Sequence, residues 1–234
     1  MLVWEFYEEK KQRIEEKFPD ICNICEQTLE NIWLIYIKLK EELNRNGEEY
    51  GELPPVEQMN LLLSIRNIPY LISAFILAEK GLVSPSRNIL RTVYEQILRI
   101  YLFLEFPDDA SLWYNYWNNP DEFENDMKRK MWMKHKYMID KLYKDSKKES
   151  VKEFYKNISR YAHPNIRSIW SDYANIKEVE DTLNGLLGSV FETVKLLQKT
   201  FGPKLSPELM NACEDIKRQI GEYLVEIFDL EPNK

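Results

Sequence analysis

Glycine and histidine are scarce in this chain, whose 234 residues include seven glycines and two histidines. Proteins built from many short strands need a turn, commonly with glycine, between successive strands, so this scarcity argues against a β-sandwich or a barrel. Segments with the helical hydrophobic period are long and numerous instead. They predict an all-α fold. No H-E-x-x-H or paired E-x-x-H set is present, so we expect neither a metal site nor a cofactor.

Cysteine is also rare, and an odd number of residues, Cys22, Cys25 and Cys213, makes a poor disulfide framework. This composition agrees with a reducing compartment. Cys22 and Cys25 have the C-x-x-C spacing of some zinc and redox sites. They lie within a helical pattern, without a second C-x-x-C or a strand beside them, so ordinary packing is the preferred interpretation.

Long apolar runs are missing as well. The longest, residues 68–78, is shorter than the roughly 18 to 20 residues that a membrane-spanning helix needs. Glu5, Glu8 and Glu9 precede any apolar segment that could act as a secretory signal. We therefore expect a soluble cytoplasmic protein that does not bind a membrane.

Apolar side chains are abundant, since 44% of the residues are hydrophobic and 13% are aromatic. This content is enough for one substantial core, and residues 1–234 are expected to form a single domain, an up-and-down bundle of about seven to eight helices. The aromatic segment 107–120 would seal one end of the bundle or, alternatively, stack bases. The last two helices suit either bundle packing or homodimerisation. The predicted helices span residues 1–18, 20–45, 55–80, 84–106, 121–145, 147–163, 176–201 and 206–228, with Pro69 kinking or breaking the third and Gly81 ending it.

The predicted helix 84–106 should be the centre of this bundle. Ser84 is a suitable N-cap, Pro85 lies in the first turn, and Pro107 follows the end. Its side chains are apolar nearly all round, so several neighbours should cover it. Arg91 and Glu95 interrupt that surface one turn apart, where an ion pair that is at least half buried is expected. Such a pair either fixes the helix register or belongs to a functional site.

Positive charge is concentrated in one segment, although the formal net charge of the chain is −7. Residues 128–160 contain twelve Lys or Arg and four Asp or Glu. This asymmetry is compatible with a face that binds phosphate, with Lys128, Arg129 and Lys130 as candidates for the contact, although a solvated face is the commoner meaning of such a pattern. A solvated lysine-rich face, or a charge match within the bundle or a dimer, would produce the same pattern.

Tyr155, Ser159 and His163 recur every four residues along the edge of the predicted helix 147–163. His163 lies in the last turn, where the helix dipole favours its protonated form. If this edge faces helix 84–106, the four residues Arg91, Glu95, Ser159 and His163 form one pocket. A Ser159–His163 nucleophile pair would lack an oxyanion-hole signature. The alternative for His163 is a structural hydrogen bond to a carboxylate.

Two short motifs carry a resemblance to a known group of proteins. The L-R-x-x-x-E run from Leu90 and Arg91 to Glu95, followed by S-x-x-x-H-P from Ser159 to Pro164, resembles a family of uncharacterised prokaryotic helical proteins. That family is similar to the HEPN superfamily, and the likeness covers about residues 58–170. It implies an HEPN-like bundle and a role as a toxin, a phage-defence protein or a nucleotide-binding protein.

HEPN ribonucleases carry an Arg, then four to six residues, then a His, at a cleft between two protomers. Here Arg160 is too close to His163, and the basic residue at the right spacing is Lys156. Arg129 and His135 do fit the pattern, although a packing role explains His135 equally well.

The resemblance implies metal-independent ribonuclease chemistry. His163 would take the proton of the ribose 2′-hydroxyl, while Arg91 or Lys156 would stabilise the phosphate and Glu95 would orient Arg91. Ser159 would lie in the same site, and the residues expected to bind the RNA or nucleotide are Tyr155, Arg160, Arg129, His135, Lys128 and Lys130. The competing hypothesis is a non-catalytic helical protein that binds a protein partner, such as an antitoxin, with a purely structural Arg91–Glu95 pair.

Overall fold

Helices dominate the computed structural model, which describes residues 3–45, 47, 50–119, 135–143, 152, 155–156 and 176–228. No strand occurs in these ranges, and the predicted all-α bundle is confirmed. Short 3₁₀ turns lie at Tyr50–Glu52 and Gly202–Lys204. The helices are α1 (Val3–Lys17), α2 (Pro19–Arg45), α3 (Pro55–Glu79), α4 (Val83–Glu105), α5 (Pro107–Asn118), α6 (His135–Leu142), α7 (Ile176–Phe201) and α8 (Pro207–Phe228).

Most helix boundaries agree with the prediction to within two residues, but α3 differs at its proline. The helix continues through Pro69, where the sequence predicts a kink or a break at residues 66–68. Proline removes one backbone hydrogen bond and crowds the preceding turn. Ile68 and Leu71 on either side are completely buried. Packing on both sides of the proline therefore outweighs its local cost.

The turn between α3 and α4 ends α3 at Gly81, as predicted. Gly81 has φ of 69° and donates its backbone N–H to the carbonyl of Ala78 at 2.8 Å. Leu82 donates to the carbonyl of Leu77 at 2.8 Å, which completes a Schellman motif. Lys10 of α1 donates to the carbonyl of Gly81 at 3.3 Å, and a Cβ at Gly81 would lie 2.6 Å from Cε of Lys10. The positive φ thus requires glycine here, whereas the flexible end of the Lys10 side chain could shift to admit a Cβ.

The start of α4 corrects the prediction for Ser84. The N-cap is Leu82, the helix begins at Val83, and no side chain caps it. Val83 is completely buried, and Ser86 donates its hydroxyl to the carbonyl of Ala74 in α3 at 2.7 Å. Packing against α3 therefore begins the helix directly after the turn, which moves Ser84 into the first turn.

Helix α4 is covered by α3, α5, α6 and α7, as its apolar surface predicts. One side contributes to the main core, which all the long helices share. Leu98 and Leu102 instead form a second, smaller cluster with Met138 and Ile139 of α6. These two clusters place α4 at the centre of the described bundle.

The aromatic residues of α5 pack against the bundle. Trp113 and Tyr114 lie partly buried against the core, and the Trp113 ring is 6.2 Å from that of Phe103 in α4. Helix α5 also packs against α3. For these two residues the packing interpretation therefore holds.

Helix α3 is the one helix in the described ranges whose length and apolar composition would suffice to cross a membrane. The whole helix passes this test, although the run at residues 68–78 is too short by itself. Half of the apolar window is buried inside the bundle. That burial is expected of the core helix of a bundle.

All three cysteines are free and buried. Burial raises the pKa of Cys22 to about 12, and it also raises the pKa of Cys25 well above its usual range. Both thiols are protonated at neutral pH, as packing residues would be. Among the described residues, no group of three or more His, Cys, Asp or Glu side chains could hold a metal ion.

Candidate functional site

Three charged residues share one face of α4, because Arg91, Glu95 and Arg99 follow each other at the helical spacing of four. The side chain of Arg91 is 28% exposed and that of Glu95 is 23% exposed, so the predicted half-burial of the pair is confirmed. The predicted ion pair also forms, with 3.1 Å between Nε of Arg91 and Oε1 of Glu95.

Tyr155 closes a triangle of hydrogen bonds with this pair. Its hydroxyl accepts from Nε of Arg91 at 3.0 Å and donates to Oε1 of Glu95 at 2.7 Å. The tyrosine is buried, and Cζ of Arg91 lies 5.2 Å from the centre of its ring. Burial alone would lower the pKa of Arg91, but Tyr155 and Glu95 raise it above its usual value. The triangle thus holds a charged guanidinium in one orientation.

The contacts of Arg91 determine what else it can bind. Within the described ranges, both of its hydrogen bonds use Nε, so neither terminal nitrogen is engaged there. A guanidinium presents five N–H donors in a planar fork that matches the oxygens of a phosphate or a carboxylate. The free end of that fork can therefore hold an anion.

Arg99 lies one turn beyond Glu95, in a different setting. Its Nε is buried and has no hydrogen-bond partner among the described residues, and its Cζ lies 5.8 Å from the centre of the Trp113 ring. Burial lowers the pKa of Arg99, and the positive charge of Arg66 lowers it further, while Glu95 acts in the opposite direction. Arginine remains charged even so. The lowered pKa therefore reflects mainly the burial of the guanidinium.

We define the arginine cluster as Arg66, Arg91, Glu95, Arg99 and Tyr155. Glu95 pairs with Arg91 and also acts on Arg99, whereas Arg66 acts on Arg99 through its positive charge. Arg66 is exposed on α3, whereas Arg91 and Arg99 are partly buried on α4. Each α4 arginine also lies over an aromatic ring from another segment. This combination of excess positive charge and fixed geometry is suited to binding a phosphate.

The sequence-predicted site is only partly within the described residues. Tyr155, the first residue of the predicted polar edge, does face α4, and Lys156 beside it is exposed. His135 is the first residue of α6. The predicted pocket with Arg91 and Glu95 therefore stays a prediction for the remaining residues, which lie outside the described ranges: Lys128, Arg129, Lys130, Ser159, Arg160 and His163.

Two residues near this site, Arg66 and Arg99, were not singled out from the sequence. Arg99 had a usable signal, because it continues the spacing of Arg91 and Glu95 along α4. Arg66 had none, because it comes from α3 and only the packing of that helix against α4 brings it near Arg99. Trp113 belongs to the aromatic segment 107–120, but no local pattern indicated its contact with Arg99.

No protein-family model, curated protein or solved structure matches this chain. The arginine cluster is therefore the feature of this chain that indicates a function. The resemblance to the HEPN superfamily stays a prediction.

Proposed function

We propose that this protein is a cytoplasmic HEPN-like protein that binds the phosphate groups of RNA or of a nucleotide at the arginine cluster. The observation that carries this proposal is the excess of positive charge in the cluster. Arg91 and Arg99 both interact with the carboxylate of Glu95, and Arg66 adds a third positive charge that acts on Arg99. A phosphate bound there would supply negative charge to these arginines. It would also meet the terminal nitrogens of Arg91.

The aromatic rings beneath the arginines support a nucleic-acid ligand. Tyr155 and Trp113 hold the two guanidinium planes through cation–π contacts, which restricts the directions of their N–H groups. A positioned fork loses less conformational entropy on binding than a free side chain. The basic composition of residues 128–160 would extend the contact along a phosphate backbone.

Metal-independent RNA cleavage is the sharper form of this proposal. Glu95 and Tyr155 fix Nε of Arg91, as a phosphate-stabilising group in a ribonuclease requires. His163 would take the proton of the ribose 2′-hydroxyl, and Arg91 with Lys156 would stabilise the pentacoordinate phosphate. Ser159 would complete the pocket. The active form would be a homodimer, with an antitoxin-like protein as a possible regulator.

The competing function is a helical protein that binds a protein partner without catalysis. One observation favours it: the hydrogen bonds among Arg91, Glu95 and Tyr155 already form a closed set. Such a set could serve only to connect the segment of Tyr155 to α4. The two functions differ in whether phosphate competes for the arginines.

The test is binding of a fluorescein-labelled single-stranded RNA, followed by anisotropy over a series of salt concentrations. We expect Arg99→Gln to weaken binding by about tenfold and to reduce the salt dependence by about one released counterion. Arg218→Gln is the matched control, because Arg218 is an exposed arginine on α8 paired with Asp215. Absence of RNA and nucleotide binding at low salt would favour the protein-partner function.

The cleavage step has its own test. Wild type, His163→Ala and His135→Ala are incubated with labelled RNA in the presence of a chelator. Loss of cleavage in His163→Ala alone, with folding intact by circular dichroism, would assign the general base. RNA binding without cleavage in the wild type would retain the binding function and remove the ribonuclease step.

A further inference from the structure

A cavity of about 1050 Å³ lies between α4, α6, α7 and α8, beside the arginine cluster but on another face of α4. Ligand sites in proteins have volumes of this order and are lined mainly by apolar and aromatic groups, with a few polar groups for orientation. The lining here follows that pattern. Among the apolar side chains around it are Tyr94, Ile97, Leu98, Phe106, Leu142 and Phe191.

Three glycines inside helices line the same cavity: Gly185 and Gly188 of α7 and Gly221 of α8. Glycine destabilises a helix interior relative to alanine. None of the three has a positive φ, so the backbone conformation does not require glycine. A Cβ built on any of them meets no atom of a neighbouring element within 4 Å, so close helix packing does not require it either. What these glycines do provide is volume in the cavity.

The polar groups at the cavity indicate the chemistry of an occupant. Both lysines that line it are already paired with carboxylates. Lys195 binds Glu192 at 3.3 Å, and Lys141 is paired with Asp109.

We propose that this cavity binds a neutral, mainly apolar small molecule. The ligand occupies the space left open by the glycines of α7 and α8. A carboxylate there would lie near Glu192 without a free cation from the described lining. This inference does not depend on phosphate binding at the arginine cluster.

The probe is N-phenylnaphthylamine, a neutral aromatic amine with one N–H group, whose fluorescence increases in apolar surroundings. We expect saturable uptake of one molecule per chain. Decanol should displace it, and decanoate should do so at least about tenfold less well, because its ionised carboxylate would be buried without a partner cation. No saturable uptake, or equal displacement by both compounds, would overturn the proposal.

Variants of α7 locate the bound probe. Gly188→Leu fills the cavity and should weaken uptake by at least about tenfold. Lys177→Leu is the matched control, because it adds the same side chain to an exposed position of α7 that does not line the cavity. Equal uptake by Gly188→Leu and the wild type would place the probe elsewhere and refute the cavity site.

A second filling variant keeps the test valid if Gly188→Leu does not fold. Gly221→Leu fills the cavity from α8 and should also weaken uptake by at least about tenfold. Unchanged uptake in a folded Gly221→Leu would refute the cavity site.

Discussion

Two neighbouring faces of α4 differ in the polar groups that they carry. On one face Arg91, Glu95 and Arg99 keep permanent charges close to the surface, held by hydrogen bonds and aromatic rings. On the other, Tyr94 and Tyr101 border a largely apolar cavity. The neighbours create the difference. Tyr155 and Trp113 supply rings to the charged face, whereas helices α7 and α8 supply glycines to the apolar face.

The titration behaviour of the two faces differs accordingly. Burial raises the pKa of Tyr94, and burial together with the hydrogen bond to Glu192 raises the pKa of Tyr101, so both hydroxyls stay neutral across the physiological range. The arginines stay charged across the same range. Changes of pH near neutrality should therefore leave the described groups of both faces in the same states. One face offers fixed positive charge, and the other offers neutral donors and acceptors.

The largest effect on the free energy of unfolding is expected from a substitution at Leu98, where α4 packs against α6. Leu98 is almost completely buried and packs with Met138 and Ile139. Leu98→Ala should lower the free energy of unfolding by about 3 kcal/mol, because it removes apolar contacts and leaves a void. Urea unfolding measures the change, and Leu34→Ala on the exposed surface of α2 is the control, with an expected loss of about 0.5 kcal/mol or less. A similar loss in both variants would contradict the assigned core.

A crossed pair of tyrosine variants tests whether the two faces act independently. Tyr155→Phe removes a hydroxyl from the arginine cluster, and Tyr101→Phe removes one that binds Glu192 beside the cavity. Each should cost about 1 to 2 kcal/mol of stability, because the lost hydrogen bond involves a charged partner. RNA binding and uptake of N-phenylnaphthylamine should, however, respond differently to the two variants.

In that experiment Tyr155→Phe is expected to weaken RNA binding and leave uptake of N-phenylnaphthylamine unchanged. Tyr101→Phe should leave RNA binding unchanged. Anisotropy and fluorescence titrations on both variants provide the comparison. If Tyr155→Phe changed uptake of the apolar probe as much as RNA binding, the two faces would have to be treated as one site.

Replacing glycine by alanine should change the free energy of unfolding by a smaller amount, and the sign should differ between Gly188 and Gly81. Gly188→Ala should raise the free energy of unfolding by about 0.5 to 1 kcal/mol, because the new methyl group enters open space in a helix. Gly81→Ala should lower it by about 1 kcal/mol or more, because the backbone has a positive φ. Thermal unfolding of the two variants against wild type measures both. Destabilisation by Gly188→Ala would mean that the glycine serves helix packing rather than the cavity.

The features that were predictable from the sequence are those set by nearby residues. The Arg91–Glu95 pair follows from a spacing of four, and the end of α3 follows from Gly81. The start of α4 was predicted wrongly at Ser84, because burial of Val83 decided it. Tyr155 reaches Glu95 across 60 positions of the chain, and no local pattern encodes that approach. The cavity was not predictable from the sequence either, because the glycines of α7 and α8 line it only once those helices pack beside α4.

The smallest predicted effect concerns an ion pair remote from both faces, between Glu79 of α3 and Lys11 of α1, which are 3.6 Å apart. Burial raises the pKa of Glu79, and the positive charge of Lys11 offsets this only in part. A raised pKa means that the folded protein binds the proton more tightly than the unfolded chain does. The contribution of Glu79 to stability is therefore greatest when it is protonated at acidic pH, and it is lost as the pH rises through the folded-state pKa.

The variant Glu79→Gln cannot ionise, so its melting temperature should rise relative to that of the wild type as the pH increases from acidic to neutral. Glu15→Gln removes a more exposed carboxylate from the same Lys11 and serves as the control. An opposite trend for Glu79→Gln would mean that attraction to Lys11 outweighs the burial of this carboxylate.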